Sequence, residues 1–201
     1  SYYVSPSRNA IYIQDKIDHN GVIANIGFRV ESTTPNTNWY DLEPYDKNLS
    51  QGEGSNLEKQ ASTYGVNKNY YISPRLGISH PITENSKLYF NYGHFYSEPE
   101  SSFRFRIQRE YNGLVTHLGN PGLLNERTIA YEIGYAHSWN GLLLNMAAYY
   151  KDVTDQVGWI YFEDVRGSVS YSLAGNNNYA DIRGLELTIS KPRKKWISGF
   201  I

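Results

Sequence analysis

The connections between strand-like runs constrain this chain more than any single motif does. Seven runs alternate residue by residue, as strands with two unlike faces must. They are Ala10–Asp18, Val22–Glu31, Tyr70–His80, Lys87–Tyr96, Thr128–Ser138, Leu142–Asp152 and Ala180–Lys191. The links between them alternate too. His19-Asn20-Gly21, Pro81–Ser86 and Trp139-Asn140-Gly141 are short, whereas Ser32–Asn69, Ser97–Arg127 and Val153–Tyr179 are long. Asn-Gly is a strong hairpin signal because a type I′ turn needs positive φ at both central residues. Links as long as the other three are uncommon inside a compact soluble domain. They are the rule in barrels that cross an outer membrane, which have short turns at one rim and long loops at the other. The predicted fold class is therefore all-β, an antiparallel up-and-down transmembrane β-barrel, with short turns toward the periplasm and long loops outside.

The two faces of the runs agree with that fold. Leu88, Phe90 and Tyr92 form one row against Lys87, Tyr89, Asn91 and Gly93, and Ile129, Tyr131, Ile133 and Tyr135 form another against Thr128, Ala130, Glu132, Gly134 and Ala136. The non-apolar face carries Gly27, Gly77, Gly93, Gly134 and Gly184 with isolated charges at Arg29, Arg75, Glu132, Lys151 and Glu186. Small residues and single charges suit an enclosed, wet lumen, and these five charges are the candidates for facing it. The plainer alternative is a solvated sheet face with glycines at bulges. A mean hydropathy of -0.57 does not count against a membrane strand, because alternating residues average to a polar value. Aromatics reach 15% with 19 tyrosines, the residue favoured where membrane meets water. Tyr70, Tyr71, Tyr96, Tyr149, Tyr150 and Trp139 fall near strand ends, as girdle residues would. A formal net charge of -1 gives no basic field for nucleic acid. With no cysteine there is neither a disulfide framework nor a thiolate metal site. The start, SYYVSPSRN, lacks the basic and apolar regions of a signal peptide, so a mature chain or a fragment is expected.

Catalytic chemistry is not visible. The five histidines show no H-x-x-x-H pair, so no metal or other cofactor is predicted. His94 and Ser97 would point to opposite faces of a strand, and Glu98 and Glu100 read as surface carboxylates. Gly52-Glu53-Gly54-Ser55 lacks the ending of a phosphate loop and reads as a flexible outer loop. Arg193-Lys194-Lys195 reads as a solvated turn. Trp39, Tyr40, Arg104 and Arg106 are the ligand-contact candidates. Read as a loop strand, Phe103-Arg104-Phe105-Arg106-Ile107 would set both arginines on one face toward an anionic ligand, or leave them solvated on a hairpin above the membrane.

Several segments, in order, resemble the barrels of TonB-dependent receptors. Asn120-Pro121-Gly122-Leu123-Leu124-Asn125-Glu126-Arg127-Thr128-Ile129-Ala130-Tyr131-Glu132-Ile133-Gly134 is similar to that family's Asn-Pro…Leu…Glu…Thr…Tyr-Glu-x-Gly segment. Tyr12-Ile13-Gln14-Asp15, Ser73-Pro74-Arg75-Leu76-Gly77, Ala148-Tyr149-Tyr150-Lys151-Asp152-Val153 and Ile182-Arg183-Gly184-Leu185-Glu186 resemble further strands of it. The resemblance implies a 22-stranded barrel plugged by a folded domain, of which seven strands are about a third. It makes Arg29, Arg75, Glu132, Lys151 and Glu186 the candidates for contacting that plug. It implies an outer-membrane receptor that captures a ligand with loops and plug and takes it up with energy from TonB. The implied partners are outer-membrane lipid, the TonB complex through an N-terminal part missing here, and a ligand left open between an iron chelate, cobalamin, a glycan or a peptide. An open seven-stranded sheet would expose two edges and an apolar face, so a C-terminal fragment without plug is expected, its tail from Lys191 losing the alternation. The rivals are a passive porin or structural barrel, an outer-membrane enzyme, and a secreted soluble β protein or adhesin.

Overall fold

The computed structural model describes residues 4–194 and 197–200. Its strands are β1 (Ser7–His19), β2 (Val22–Thr34), β3 (Asn38–Tyr40), β4 (Thr63–Gly65), β5 (Asn69–Thr83), β6 (Ser86–Ser97), β7 (Ile107–Arg109), β8 (Val115–Leu118), β9 (Glu126–Trp139), β10 (Leu142–Glu163), β11 (Ser170–Lys194) and β12 (Ile197–Phe200). Two short helices, α1 (Leu57–Gln60) and α2 (Ser101–Phe105), lie between them. One ten-stranded sheet runs β1-β2-β5-β6-β9-β10-β11-β8-β7, with β12 also on β11, and β3 and β4 pair apart. The sheet is a half-barrel. Its main strands are antiparallel neighbours in chain order, which is the up-and-down pattern.

The two Asn-Gly turns set the register by local chemistry. Asn20 and Gly21 have φ of 52° and 80°, and Asn140 and Gly141 have 48° and 80°. Both residues of each pair are left-handed, and each turn joins strands with no further residue between. From those turns the pairing runs out without a slip, His19 opposite Val22 to Ser7 opposite Thr34 and Leu142 opposite Trp139 to Thr154 opposite Arg127. The β5–β6 ladder stops at Arg75 opposite Gly93. Pro74 follows on the loop side, with no N–H to continue it.

Register fixes which residues share a face. Ile78, Phe90, Ile133, Ala148 and Leu185 make one cross-strand row, and Leu88, Tyr135, Met146 and Leu187 the next toward the turns. Many of these apolar side chains are open to the surroundings, Leu185 at 87%. A sheet with this much outward apolar area is unsuited to water. Nearer the loops the same face carries Tyr92, Tyr131 and Tyr150, with ring centroids 5.1 and 6.2 Å apart. Trp139, at the opposite end of β9, is also exposed. Tyr131 to Trp139 is about 26 Å along a strand, or about 20 Å in height at the roughly 40° tilt of outer-membrane strands. That approaches the ~25 Å apolar band such barrels present. No described helix is long and apolar enough to cross a membrane, which says nothing about strands.

Several expectations need correction. Val153–Tyr179 is not a long loop, since β10 continues to Glu163 and β11 begins at Ser170. The continuation is hidden because pairing shifts between Val153 and Val157, where Asp155 has φ 59°, and a bulge of this kind breaks period two. The links 32–69 and 97–127 contain β3, β4, α1, α2, β7 and β8. Gly52–Ser55 is not a loose loop either. Glu53–Asn56 forms a 3-10 turn with Gly54 buried against the backbone of Gly113. Tyr71 and Tyr149 are not girdle residues. Tyr71 is buried, and Tyr149 lies on the polar face, where its Oη is 2.6 Å from where a Cβ on Gly184 would stand. The tail regains pairing after an irregularity at 192–193, with Lys194 opposite Ile197 and Ser190 opposite Phe200. Lys195, Trp196 and Ile201 of that tail lie outside the described residues.

Candidate functional site

Above the strands' loop ends, the connecting segments build a core of their own. Trp39, Leu49, Leu57, Val115, Leu118, Val169 and Tyr171 are buried together, from all three links. Aromatic pairs hold the periphery, Phe103 tilted on Trp159 at 5.0 Å and Phe162 stacked on Tyr171 at 5.4 Å. β8 lies parallel to β11, with Ser172 opposite His117 and Leu173 opposite Leu118. That places the β7–β8 and β10–β11 hairpin tips at one height, where Tyr111 and Val165 are fully exposed. Both turns are fixed by polar groups. Asn112 Oδ1 accepts from Leu114 N at 3.0 Å, and Asp164 Oδ1 accepts from Val169 N at 3.1 Å. The outer segments thus form an ordered cap.

Of the four ligand-contact candidates, two meet at one hollow. An open depression of about 340 Å³ is lined by Trp39, Tyr40, Asp41, Tyr64, Asn120 and Tyr171, among others. Trp39 is only 6% exposed, and its indole N–H donates to the Gly119 carbonyl at 3.0 Å, so it chiefly supports the wall. Tyr40 is half-buried, and burial first, then Glu58, holds its phenol above the usual tyrosine range, with Arg109 opposing. Its hydroxyl therefore stays protonated and able to donate. Asp41 is the carboxylate of this hollow and Tyr64 a more exposed ring.

Arg104 and Arg106 do not form a pair. Residues 101–105 turn as a helix instead of a strand, since Phe103 N–H bonds back to the Glu100 carbonyl at 3.0 Å. Arg104 is 6% exposed and donates to Asn125 Oδ1 at 3.0 Å and the Leu123 carbonyl at 3.5 Å, while Arg106 extends outward to Gln108. The Arg104 guanidinium therefore braces the chain and is not presented to a ligand. What it braces is the Asn-Pro-Gly-Leu-Leu-Asn segment. Asn120 Oδ1 accepts from Gly122 N at 2.9 Å, and Asn125 N donates to the Tyr71 hydroxyl at 3.0 Å. Asn176 imitates a strand partner, accepting from Leu124 N at 2.9 Å and donating to its carbonyl at 3.1 Å. The same amide also reaches the Asp155 carbonyl at 2.7 Å. This bracket ties β5, α2, β10 and β11 together, and its asparagines and Tyr71 were missed as polar tie points because their partners lie far away in sequence.

The five lumen candidates all stand on the polar face by register. Arg75 sits between Gly27 and Gly93, Glu132 opposite Asn91 and Tyr149, Lys151 opposite Ala130, and Glu186 opposite Ala147. Arg29 shares that face two residues from Gly27, and Lys151 lies over the Tyr149 ring at 5.3 Å. The glycines make room for aromatic rings. The Tyr89 ring lies across Gly134, and its hydroxyl donates to Asn145 Oδ1 on β10 at 3.1 Å. Near the loops, Glu31, 4% exposed, takes Arg29 at 2.8 Å and Arg8 at 2.5 Å. No group of three or more His, Asp or Glu among the described residues is placed to hold a metal.

Solved structures share this architecture. The hemophore receptor HasR of Serratia marcescens, solved with its hemophore HasA and heme, is 18% identical with a TM-score of 0.68. The alignment covers 93% of this chain and 32% of that one. The FrpB iron transporter from Neisseria meningitidis is 18% identical with a TM-score of 0.58, over 96% and 25%. The ferric enterobactin receptor PfeA of Pseudomonas aeruginosa is 16% identical with a TM-score of 0.54, over 96% and 35%. At such identities the likeness shows the fold. The chain spans about a quarter to a third of the length of these structures. No curated protein matches by sequence. Residues 1–199 match the family described as TonB dependent receptor-like, beta-barrel, and with that match and the half-barrel, turns and faces above, the chain belongs to the TonB-dependent receptor-like β-barrel family.

Proposed function

We propose that this chain is wall and outer-loop structure of an outer-membrane transporter in a Gram-negative bacterium. The ordered cap takes part in ligand capture, and uptake into the periplasm is driven through the TonB complex. The observation that carries this reading is the pairing of an exposed apolar sheet face with a polar opposite face under a folded cap. A barrel wall needs lipid on one side and a wet lumen on the other. The five charges Arg29, Arg75, Glu132, Lys151 and Glu186 would meet the domain that fills the lumen. The hollow at Tyr40, Asp41 and Tyr64 would contact the ligand from outside, with phenol and carboxylate able to donate and accept. An iron chelate is favoured over cobalamin, a glycan or a peptide, because two of the similar structures are described as an iron transporter and a ferric enterobactin receptor.

A plugged transporter and a passive porin differ in one simple measurement. The full protein, reconstituted into liposomes, should leave them impermeable to arabinose in a swelling assay. Immediate swelling at the rate of an open channel would overturn the transporter reading in favour of a porin.

A further inference from the structure

Resting on the reading of this face as a barrel lumen, we propose that Arg8, Arg29 and Arg75 form an anion site that takes a carboxylate group. These three arginines line one open groove of about 380 Å³ with Tyr12, Gln14, Glu31, Ser73 and Phe95. Three guanidiniums there face one lining carboxylate.

That carboxylate is already committed. Glu31 is buried, its Oε2 receives both Nε at 3.1 Å and NH2 at 2.8 Å of Arg29, and its Oε1 meets Arg8 Nε at 2.5 Å. Glu98 also acts on Arg8 through space but does not line the groove. The Arg75 side chain, unlike its backbone, makes no hydrogen bond or ion pair with the described residues. Its guanidinium is instead stacked over the Phe95 ring, 4.8 Å from the centroid. A guanidinium held over a ring by its charge does not spend its N–H donors on that contact, so they are left for an acceptor.

The surrounding backbone leaves room for that contact. Arg75 has Gly27 on one neighbouring strand and Gly93 on the other. A Cβ on Gly93 would stand 3.1 Å from the Phe95 ring, close enough to press on it, and at an ordinary contact of 3.5 Å from Arg75 Cγ, so the glycine leaves room for the ring that carries Arg75. The groove is therefore a set of hydrogen-bond donors awaiting an acceptor, with Glu31 fixing two arginines and Phe95 the third. Planar N–H donors at fixed positions suit the two-oxygen geometry of a carboxylate.

The carboxylate could come from a free anionic ligand or from another segment of the same polypeptide inside the lumen. Citrate serves as the probe. Calorimetry on the full detergent-extracted protein should show saturable citrate binding that weakens with salt, and no binding of the uncharged triethyl ester. Arg75→Gln should weaken citrate by about tenfold or more, and Arg75→Lys by less. If the carboxylate is internal, citrate will not bind. Arg75→Gln will then speed hydrogen exchange in a carboxylate-bearing segment that packs on this groove, and Arg75→Lys will do so less. Absence of citrate binding together with unchanged exchange in Arg75→Gln overturns the proposal. Each variant is also run on gels with and without boiling. Loss of the heat-modifiable band in the unsubstituted protein would count against the barrel reading itself, separately from the site.

Discussion

Placing a methyl group on Gly134 should destabilise the barrel, and removing one tyrosine should reverse the sign of that effect. Gly134 lies on the polar face beneath the ring of Tyr89, its direct cross-strand partner. A Cβ there would stand 2.6 Å from Tyr89 Cε1 and nearer still to the end of the ring. The obstructing atoms are the tip of a side chain, so the ring swings away and the backbone stays in place. The swing breaks the Tyr89 hydrogen bond to Asn145, 3.1 Å long, which is worth about 0.5–1.5 kcal/mol, and lifts the ring off the sheet, costing roughly another 1 kcal/mol of packing. Against this, replacing glycine restricts the unfolded chain and returns about 0.4–1 kcal/mol. Gly134→Ala should therefore lose about 1 kcal/mol. In a Tyr89→Ala background the obstruction is gone, and the same substitution should gain about 0.4–1 kcal/mol. Urea unfolding in lipid vesicles, followed by tryptophan fluorescence, measures all four corners of the cycle. Additivity within about 0.5 kcal/mol would refute the claim that the glycine exists to seat the ring, the device known for designed sheets as aromatic rescue.

Four other outcomes follow from the same geometry. Leu185→Lys, on the open apolar face, should cost about 2–4 kcal/mol if it sits near the bilayer midplane, read by the same unfolding assay, whereas a solvated sheet face would tolerate it. Leu49→Ala, at a fully buried position of the cap core, should cost the cap about 2–5 kcal/mol, appearing as faster proteolysis within 41–60 while the heat-modifiable band persists. Asn125→Leu leaves the buried Arg104 guanidinium without its side-chain acceptor and should cost about 1–3 kcal/mol, seen as cleavage between 98 and 124. The Asp164 turn should be stable to acid. The Ser168 hydroxyl, then the Val169 amide, lower this carboxyl below its ordinary 3.8, so its contribution is present above that value and disappears as pH falls through the lowered one. Hydrogen exchange at Val169 and Gly167 should stay slow at pH 5 and quicken only in stronger acid.

What could be read from the sequence was what is decided locally. Asn20-Gly21 and Asn140-Gly141 announce their turns because only a few residue types tolerate two left-handed φ values in succession. The two faces are visible because a strand repeats every two residues, so Ile129, Tyr131 and Ile133 must lie together whatever the tertiary context. The cap was not readable. Leu49, Leu57, Val115 and Tyr171 follow no period, and only the folded chain brings them into one cluster. Arg104 shows the same limit. Its alternation with Phe103 and Phe105 suggested a strand, but ring packing on Trp159 and the Asn125 acceptor, 21 residues away, favour a helical turn. The extension of β10 to Glu163 and of β11 back to Ser170 was concealed by the two register shifts between Val153 and Val157, around Asp155. Even the glycines of the polar face were read for their size and not for the rings they carry, since Tyr89 and Tyr149 are their partners only across strands.

The central claim is that this sheet is a membrane wall with its cap outside the cell and its Asn-Gly turns in the periplasm. These 201 residues contain no cysteine, so a thiol introduced among them is the only one in this stretch, and the unsubstituted protein serves as the labelling blank. Val165→Cys at the cap tip and Asn140→Cys at a turn should be treated with a membrane-impermeant maleimide, on intact cells and after permeabilising the outer membrane. The account predicts that Val165→Cys is labelled on intact cells and Asn140→Cys only after permeabilisation. Equal labelling of both on intact cells, or labelling of Asn140→Cys alone, would contradict it.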